Sequence, residues 1–182
     1  MSPASKGRLR VAVVMLATLY LEVTFGANLR IWGVAPDLLC LVTVVAALVG
    51  GAEQGVVCGF GCGLLADLYL QDTPFGLSAL SLCIVGFLVG WFRAASPSGS
   101  KALIPVAVLV GTAINGALFL GLAGMVGQSH VFDEGRTWLI RVVAIESIDN
   151  AVLALPMWWL LRRAARGTLG AATVGAAIAP AK

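Results

Sequence analysis

The sequence predicts an all-α membrane protein, a bundle of six transmembrane helices with both termini in the cytoplasm. Of its 182 residues, 59% are hydrophobic and only 12% are charged, and its mean hydropathy is +0.96. A soluble domain carries about twice this fraction of charge, roughly 25%. The few charges gather at the edges of long apolar runs, which indicates one compact domain embedded in a lipid bilayer.

Six apolar runs approach the length of about 20 residues that a helix needs to cross a bilayer. In order, they cover residues 9–27, 34–50, 54–70, 75–92, 102–126 and 137–161. Proline, glycine, serine or charged residues separate them, as is typical of turns. We therefore predict a transmembrane domain over residues 1–166. The Ala/Gly-rich tail that follows, residues 167–182, is expected to be disordered and cytoplasmic.

Basic and aromatic residues predict the orientation of these spans. Lysine and arginine concentrate in cytoplasmic loops, and tryptophan favours both membrane interfaces. With the N-terminus inside, nine of the 12 basic residues fall on the inner side and three on the outer side. The tryptophans then fall at span ends, with Trp32 and Trp138 outside and Trp91, Trp158 and Trp159 inside. An even number of spans agrees with this charge bias.

Composition and motifs argue against several other classes of protein. A net charge of +3 without a basic stripe interleaved with aromatics argues against nucleic-acid binding. The four cysteines lie inside apolar runs and the single histidine lies in a predicted loop, so we expect neither a metal site nor a cofactor. No Ser/His/Asp set on facing spans and no phosphate-binding loop is predicted, and we expect no enzymatic activity.

Glycines recur every fourth residue in the third span. The series is Gly51, Gly55, Gly59 and Gly63, and Asp67 takes the next place. In lipid, helices associate through close approach across small residues and through polar contacts. The series therefore predicts a helix-docking face with a polar latch, and Gly86 and Gly90 offer a further small face in the fourth span. These small faces could pack against each other inside the monomer or bind a helix of a partner protein. We favour packing inside the monomer for most of the positions.

Several ionisable residues lie well inside the apolar runs, where charge is costly and marks function or a specific pairing. Glu22, Asp67 and Arg141 are predicted near the outer boundary, and Arg141 could pair with one or both carboxylates. Alternatively, all three reach the headgroups. Glu146 and Asp149 lie deeper and share a face with Asn150. They could hold neighbouring helices together through polar contacts, form a pair kept neutral by burial, or serve as a proton or ion relay.

Three motifs carry a resemblance to a known family. They are Pro36-Asp37-Leu38-Leu39 at the second span, Gly59-Phe60-Gly61-Cys62-Gly63-Leu64-Leu65-Ala66-Asp67 in the third, and Pro74-Phe75-Gly76 before the fourth. In this order they resemble the rod shape-determining protein MreD family. The specific motifs occupy residues 36–80, and the topology extends the resemblance over residues 9–165.

The resemblance implies a non-enzymatic, multi-pass protein of the bacterial inner membrane. Such a subunit of the elongation complex would bind MreC. It would also couple the actin-like MreB to RodA, to a class B penicillin-binding protein and hence to peptidoglycan synthesis, so maintaining cell shape.

The family is also similar in fold to the substrate-binding subunits of energy-coupling-factor vitamin transporters, which gives an alternative function. In that case Glu22, Asp67 and Arg141 would line a small-molecule pocket. However, those subunits dock their partner through an Ala-x-x-x-Ala face on the first helix. No two alanines stand four residues apart between Leu9 and Ala27.

Overall fold

The computed structural model describes residues 13–14, 16–22, 24, 34–69, 75–95, 103–127 and 135–165. Within these residues the protein has six helices and no strand, which confirms the predicted all-α fold. Helix α1 comprises the helical residues 13–14, 16–22 and 24. The others are α2 (Leu38–Gly50), α3 (Ala52–Tyr69), α4 (Leu77–Ala95), α5 (Leu103–Met125) and α6 (Arg136–Ala165). Pro74 and the predicted tail, residues 167–182, lie outside the described residues.

Local sequence sets both ends of α2. The Asp37 side chain accepts a 2.8 Å hydrogen bond from the Cys40 backbone N–H and so caps the first turn. At the other end, Gly51 has φ +85° and ψ −172°, a backbone conformation essentially restricted to glycine. This residue lets the chain pass from α2 directly into α3.

Helix α2 lies at the centre of the described bundle. Its residues from Leu39 to Ala47 are all buried, so it is enclosed on every side. It contacts α3, α4, α5 and α6, while α3 packs most extensively against α4, and α5 packs against α6. The surrounding helices, in contrast, expose apolar side chains on their outer faces, for example Phe87 and Val152.

The helix lengths differ from the predicted spans. Two described helices, over Leu77–Ala94 and Leu103–Met125, are long and apolar enough to cross a membrane. Helix α2 has 13 residues, fewer than the 17 of run 34–50, because Asp37 caps it and residues 35–37 are not helical. Helix α6 has 30 residues and extends beyond run 137–161 at both ends. The number of membrane spans stays a prediction.

Candidate functional site

Three glycines of α3 lie directly against the backbone of α4. Gly55 faces Gly86, Gly59 faces Leu82 and Gly63 faces Ala79. A Cβ atom built on any of the three would come within 3.0 Å of a backbone atom of α4, closer than real Cβ atoms approach. Any larger residue would therefore push the two helices apart, and the glycine face is used inside the monomer.

The outer members of the glycine series have different surroundings. Gly90 of α4 lies against the backbone of Ala52, so it extends the α3–α4 contact toward the start of α3. The backbone of Gly51 also lies beside Gly90, but a Cβ built on Gly51 would have no atom within 4 Å. Its glycine is required by the positive φ of the α2–α3 junction. Gly76 likewise has a positive φ, +99°, and precedes α4.

Asp67 holds the start of α4 from the last turns of α3. Its Oδ2 accepts hydrogen bonds from the backbone N–H groups of Gly76 at 2.8 Å and Ala79 at 3.2 Å. Its Oδ1 accepts from the Ser78 N–H at 3.0 Å. The first N–H groups of a helix have no partner within it, and the helix dipole favours a negative charge there. The buried carboxylate, only 5% exposed, is thus satisfied by backbone donors.

The structure does not bring Arg141 together with either carboxylate proposed as its partner. Both oxygens of Asp67 are engaged by α4, and the Arg141 side chain is exposed. Glu22 instead lies near Asp37 and Glu146, and its buried Oε2 has no hydrogen-bond partner among the residues that the structure describes. Asp67 and Glu22 therefore lie in two different parts of the described bundle, each with its own neighbours.

A second polar cluster surrounds the start of α2, and we call it the α2 junction. It comprises Asp37 of α2, Ser81 of α4, Thr112 and Asn115 of α5, and Asn150 of α6. The Asn150 side-chain amide donates to the Asp37 carbonyl oxygen at 2.9 Å and to Thr112 Oγ1 at 3.1 Å. The Asn115 amide donates to Asp37 Oδ2 at 3.4 Å and accepts from Ser81 Oγ at 2.8 Å. Four helices thus meet through hydrogen bonds at one point.

Further acidic side chains lie beside the α2 junction. Glu22 and Glu146 lie close enough to Asp37 to interact with it electrostatically, and Glu146 also interacts with Asp149. Asp149 is 8% exposed, and its Oδ2 has no hydrogen-bond partner within the described ranges. Within the described part of the chain, no three His, Cys, Asp or Glu side chains are arranged to hold a metal ion. What the described side chains form at this point is a set of hydrogen bonds between helices.

Sequence reasoning singled out Asp37 through its motif but did not connect it with α5. Thr112 and Asn115 are polar residues three positions apart in an otherwise apolar helix. This spacing places both on one helix face and was the available signal. Their partners could not be read from the sequence, because they lie far away along the chain; Asp37 and Asn115, for example, are separated by 78 positions.

Comparison with protein families gives one result for this fold and these motifs. The family model described as rod shape-determining protein MreD matches residues 6–164 of the 182-residue chain. Searches of curated proteins and of solved structures give no match. The matched range includes both the Asp67 cap and the α2 junction. The chain belongs to the MreD family of rod shape-determining membrane proteins.

Proposed function

We propose that this chain is a non-enzymatic scaffold, a multi-pass inner-membrane subunit that holds MreC and a peptidoglycan synthase to the MreB cytoskeleton. Membership of the family gives a role in rod-shape determination and association with the membrane. What goes beyond family membership is the identity of the proteins that the chain would bind. RodA and a class B penicillin-binding protein are the synthase components we propose.

The observation that carries the proposal is the use of buried polar side chains as ties between helices. The Asp67 carboxylate accepts hydrogen bonds from the start of α4. Asn150, which has no exposed surface, hydrogen-bonds α6 to α2 and α5. These groups hold a fixed arrangement of helices rather than face a substrate. A protein built in this way acts through the surfaces that its rigid bundle presents.

We propose that the bundle crosses the membrane six times with both termini inside. Helices α4 and α5 have the length and apolar composition of spans. Aromatic residues at the ends of the described helices support this placement, because Trp91 lies in the last turns of α4 and Trp138 in the first turn of α6. Reporter fusions at the two termini and in the predicted outer loops test the topology. A reporter active outside the cell at either terminus contradicts it.

Depletion of the chain in its source cell tests the function. We expect rod-shaped cells to become round and to incorporate new wall material at dispersed positions, without any nutrient requirement. Normal shape after depletion contradicts the proposal. A vitamin requirement with normal shape would point to a transporter subunit instead.

Affinity purification of a tagged chain that restores shape tests the partner. We expect MreC to co-purify from mild detergent. Gly121→Leu is a matched control for the packing variant Gly59→Leu, because a Cβ at Gly121 meets no atom within 4 Å whereas Gly59 touches the backbone of α4. Retention of MreC by Gly121→Leu and its loss from Gly59→Leu is the expected result. Absence of MreC from the unaltered, functional protein contradicts the scaffold.

A further inference from the structure

Helix α6 carries tryptophan at two levels. Trp138, in its first turn, is 47% exposed, and Trp159, near its end, is 57% exposed beside the half-buried Trp158. Between Trp138 and Trp158 the helix rises about 30 Å at about 1.5 Å per residue, which equals the hydrocarbon thickness of a bilayer. Because tryptophan settles at membrane interfaces, the two levels mark the two edges of the hydrocarbon along α6. This step rests on the proposed passage of α6 through the membrane.

Two arginines lie one helical turn beyond the second tryptophan level. The Arg162 guanidinium lies 4.8 Å from the centroid of a Trp158 ring, and the Arg163 guanidinium lies 5.4 Å from that of Trp159. Both arginines are exposed. A further four residues of helix correspond to about 6 Å, so the guanidinium groups reach the depth of the lipid phosphates.

The stacked arrangement suits an anion. A guanidinium has five N–H donors, more than a contact with one indole ring can occupy, and the remaining donors match phosphate oxygens in pairs. The helix dipole places only about half a negative charge at the C-terminus of α6. The two positive charges of the guanidinium groups outweigh it. In the sequence, no Asp or Glu follows Asp149. The C-terminal end of α6 therefore presents a net positive charge, and the two tryptophan rings position the guanidinium groups that carry it.

We propose that Arg162 and Arg163 form a binding site for the phosphate of an anionic phospholipid. Trp158 packs against the hydrophobic core, so the Arg162 guanidinium is carried by a ring that the bundle itself positions. Trp159 is exposed and lies where acyl chains meet headgroups. A lipid delivers phosphate at this depth together with the chains that cover the exposed ring. A soluble acidic segment would offer only the charge.

The test uses the full-length protein in mixed micelles, with native mass spectrometry of retained phosphatidylglycerol against phosphatidylcholine. We expect the wild-type chain to retain phosphatidylglycerol preferentially. Each of Arg162→Gln and Arg163→Gln should lower this preference about fivefold, as expected for the loss of one hydrogen bond to a bound phosphate. Arg163→Lys should give an intermediate value, because it keeps the charge but loses the planar donor fork.

Arg93→Gln is the matched control, since Arg93 is also exposed and lies in the last turn of α4. It should leave the preference unchanged. An equal loss in Arg93→Gln and Arg163→Gln, or no loss in either, would overturn the site. Capture of soluble polyglutamate with an unchanged lipid preference would also overturn it and favour an acidic protein partner. Resistance of the protein to alkaline extraction from vesicles separates a failed lipid site from a failed membrane placement.

Discussion

The Asn150 side-chain amide donates a 2.9 Å hydrogen bond to the backbone carbonyl of Asp37, a residue 113 positions earlier in the chain. Asn150 lies in the middle of the 30-residue α6, whereas Asp37 precedes the first residue of α2. The short central helix therefore starts beside the midpoint of a longer neighbour. The buried Asn150 side chain has both hydrogen bonds of its amide inside the protein, whereas its Oδ1 has no partner among the described residues.

Replacement of Asn150 is expected to destabilise the whole bundle. Asn150→Ala removes the hydrogen bonds to Thr112 and to the Asp37 carbonyl, which then keeps only the Leu41 N–H. The loss of two buried hydrogen bonds should cost about 1–3 kcal/mol in free energy of unfolding. The melting temperature in detergent measures this. Thr112→Val should cost less, since Asn150 keeps its bond to Asp37. Ile148→Ala, at a residue 56% exposed on the same helix, is the control, and an equal loss there would contradict a special role for Asn150.

Loss of the Asp67 cap is expected to loosen the start of α4. Asp67→Ala leaves three backbone N–H groups without their acceptor, and Asp67→Asn keeps only one acceptor oxygen. Removal of a helix cap costs about 0.5–2 kcal/mol, and burial of this one places it at the upper end. Hydrogen–deuterium exchange at residues 76–80 should rise in Asp67→Ala, and less in Asp67→Asn. Unchanged exchange in both variants would contradict the cap. Glu53→Gln, at an exposed carboxylate of α3, controls for charge.

Arg141 gives the opposite expectation. Its side chain is exposed, and both Asp67 oxygens already have backbone donors. Arg141→Met should therefore leave the yield of folded protein and its melting temperature close to those of the wild type, whereas Asp67→Ala lowers both. If Arg141→Met lowered the yield and the melting temperature strongly and Arg93→Met did not, an ion pair between Arg141 and a carboxylate would have to be assumed after all.

The all-α fold followed from composition, because a chain this apolar must satisfy its backbone hydrogen bonds within helices when it lies in lipid. The role of Asp67 was only half predictable. Its place at the end of a glycine series indicated a polar contact at a helix-docking face, but its partners are backbone N–H groups, which every residue except proline offers. Reasoning from opposite charge therefore pointed to Arg141. The length of α2 was missed because hydropathy runs through Val34 and Ala35, while the Asp37 cap starts the helix later.

Gly51 should require glycine for a reason unrelated to packing. Its φ of +85° and ψ of −172° strain any L residue, although a Cβ there would meet no atom within 4 Å. Gly51→Ala should cost about 1–3 kcal/mol in free energy of unfolding through the backbone alone. Thermal unfolding in detergent measures the cost. A neutral Gly51→Ala would show that the α2–α3 junction can adopt another conformation.

The α3–α4 contact makes the sharpest prediction, because the same Gly→Ala change should lower the melting temperature at one position and not at another. At Gly63, a Cβ would collide with the backbone of Ala79, so Gly63→Ala must separate the helices and lower the melting temperature. At Gly121, the same change meets open space within a helix, where alanine is favoured over glycine by about 1 kcal/mol. Gly121→Ala should therefore raise the melting temperature or leave it unchanged. If both variants melt at the wild-type temperature, the helices are not held at the distance that glycine permits.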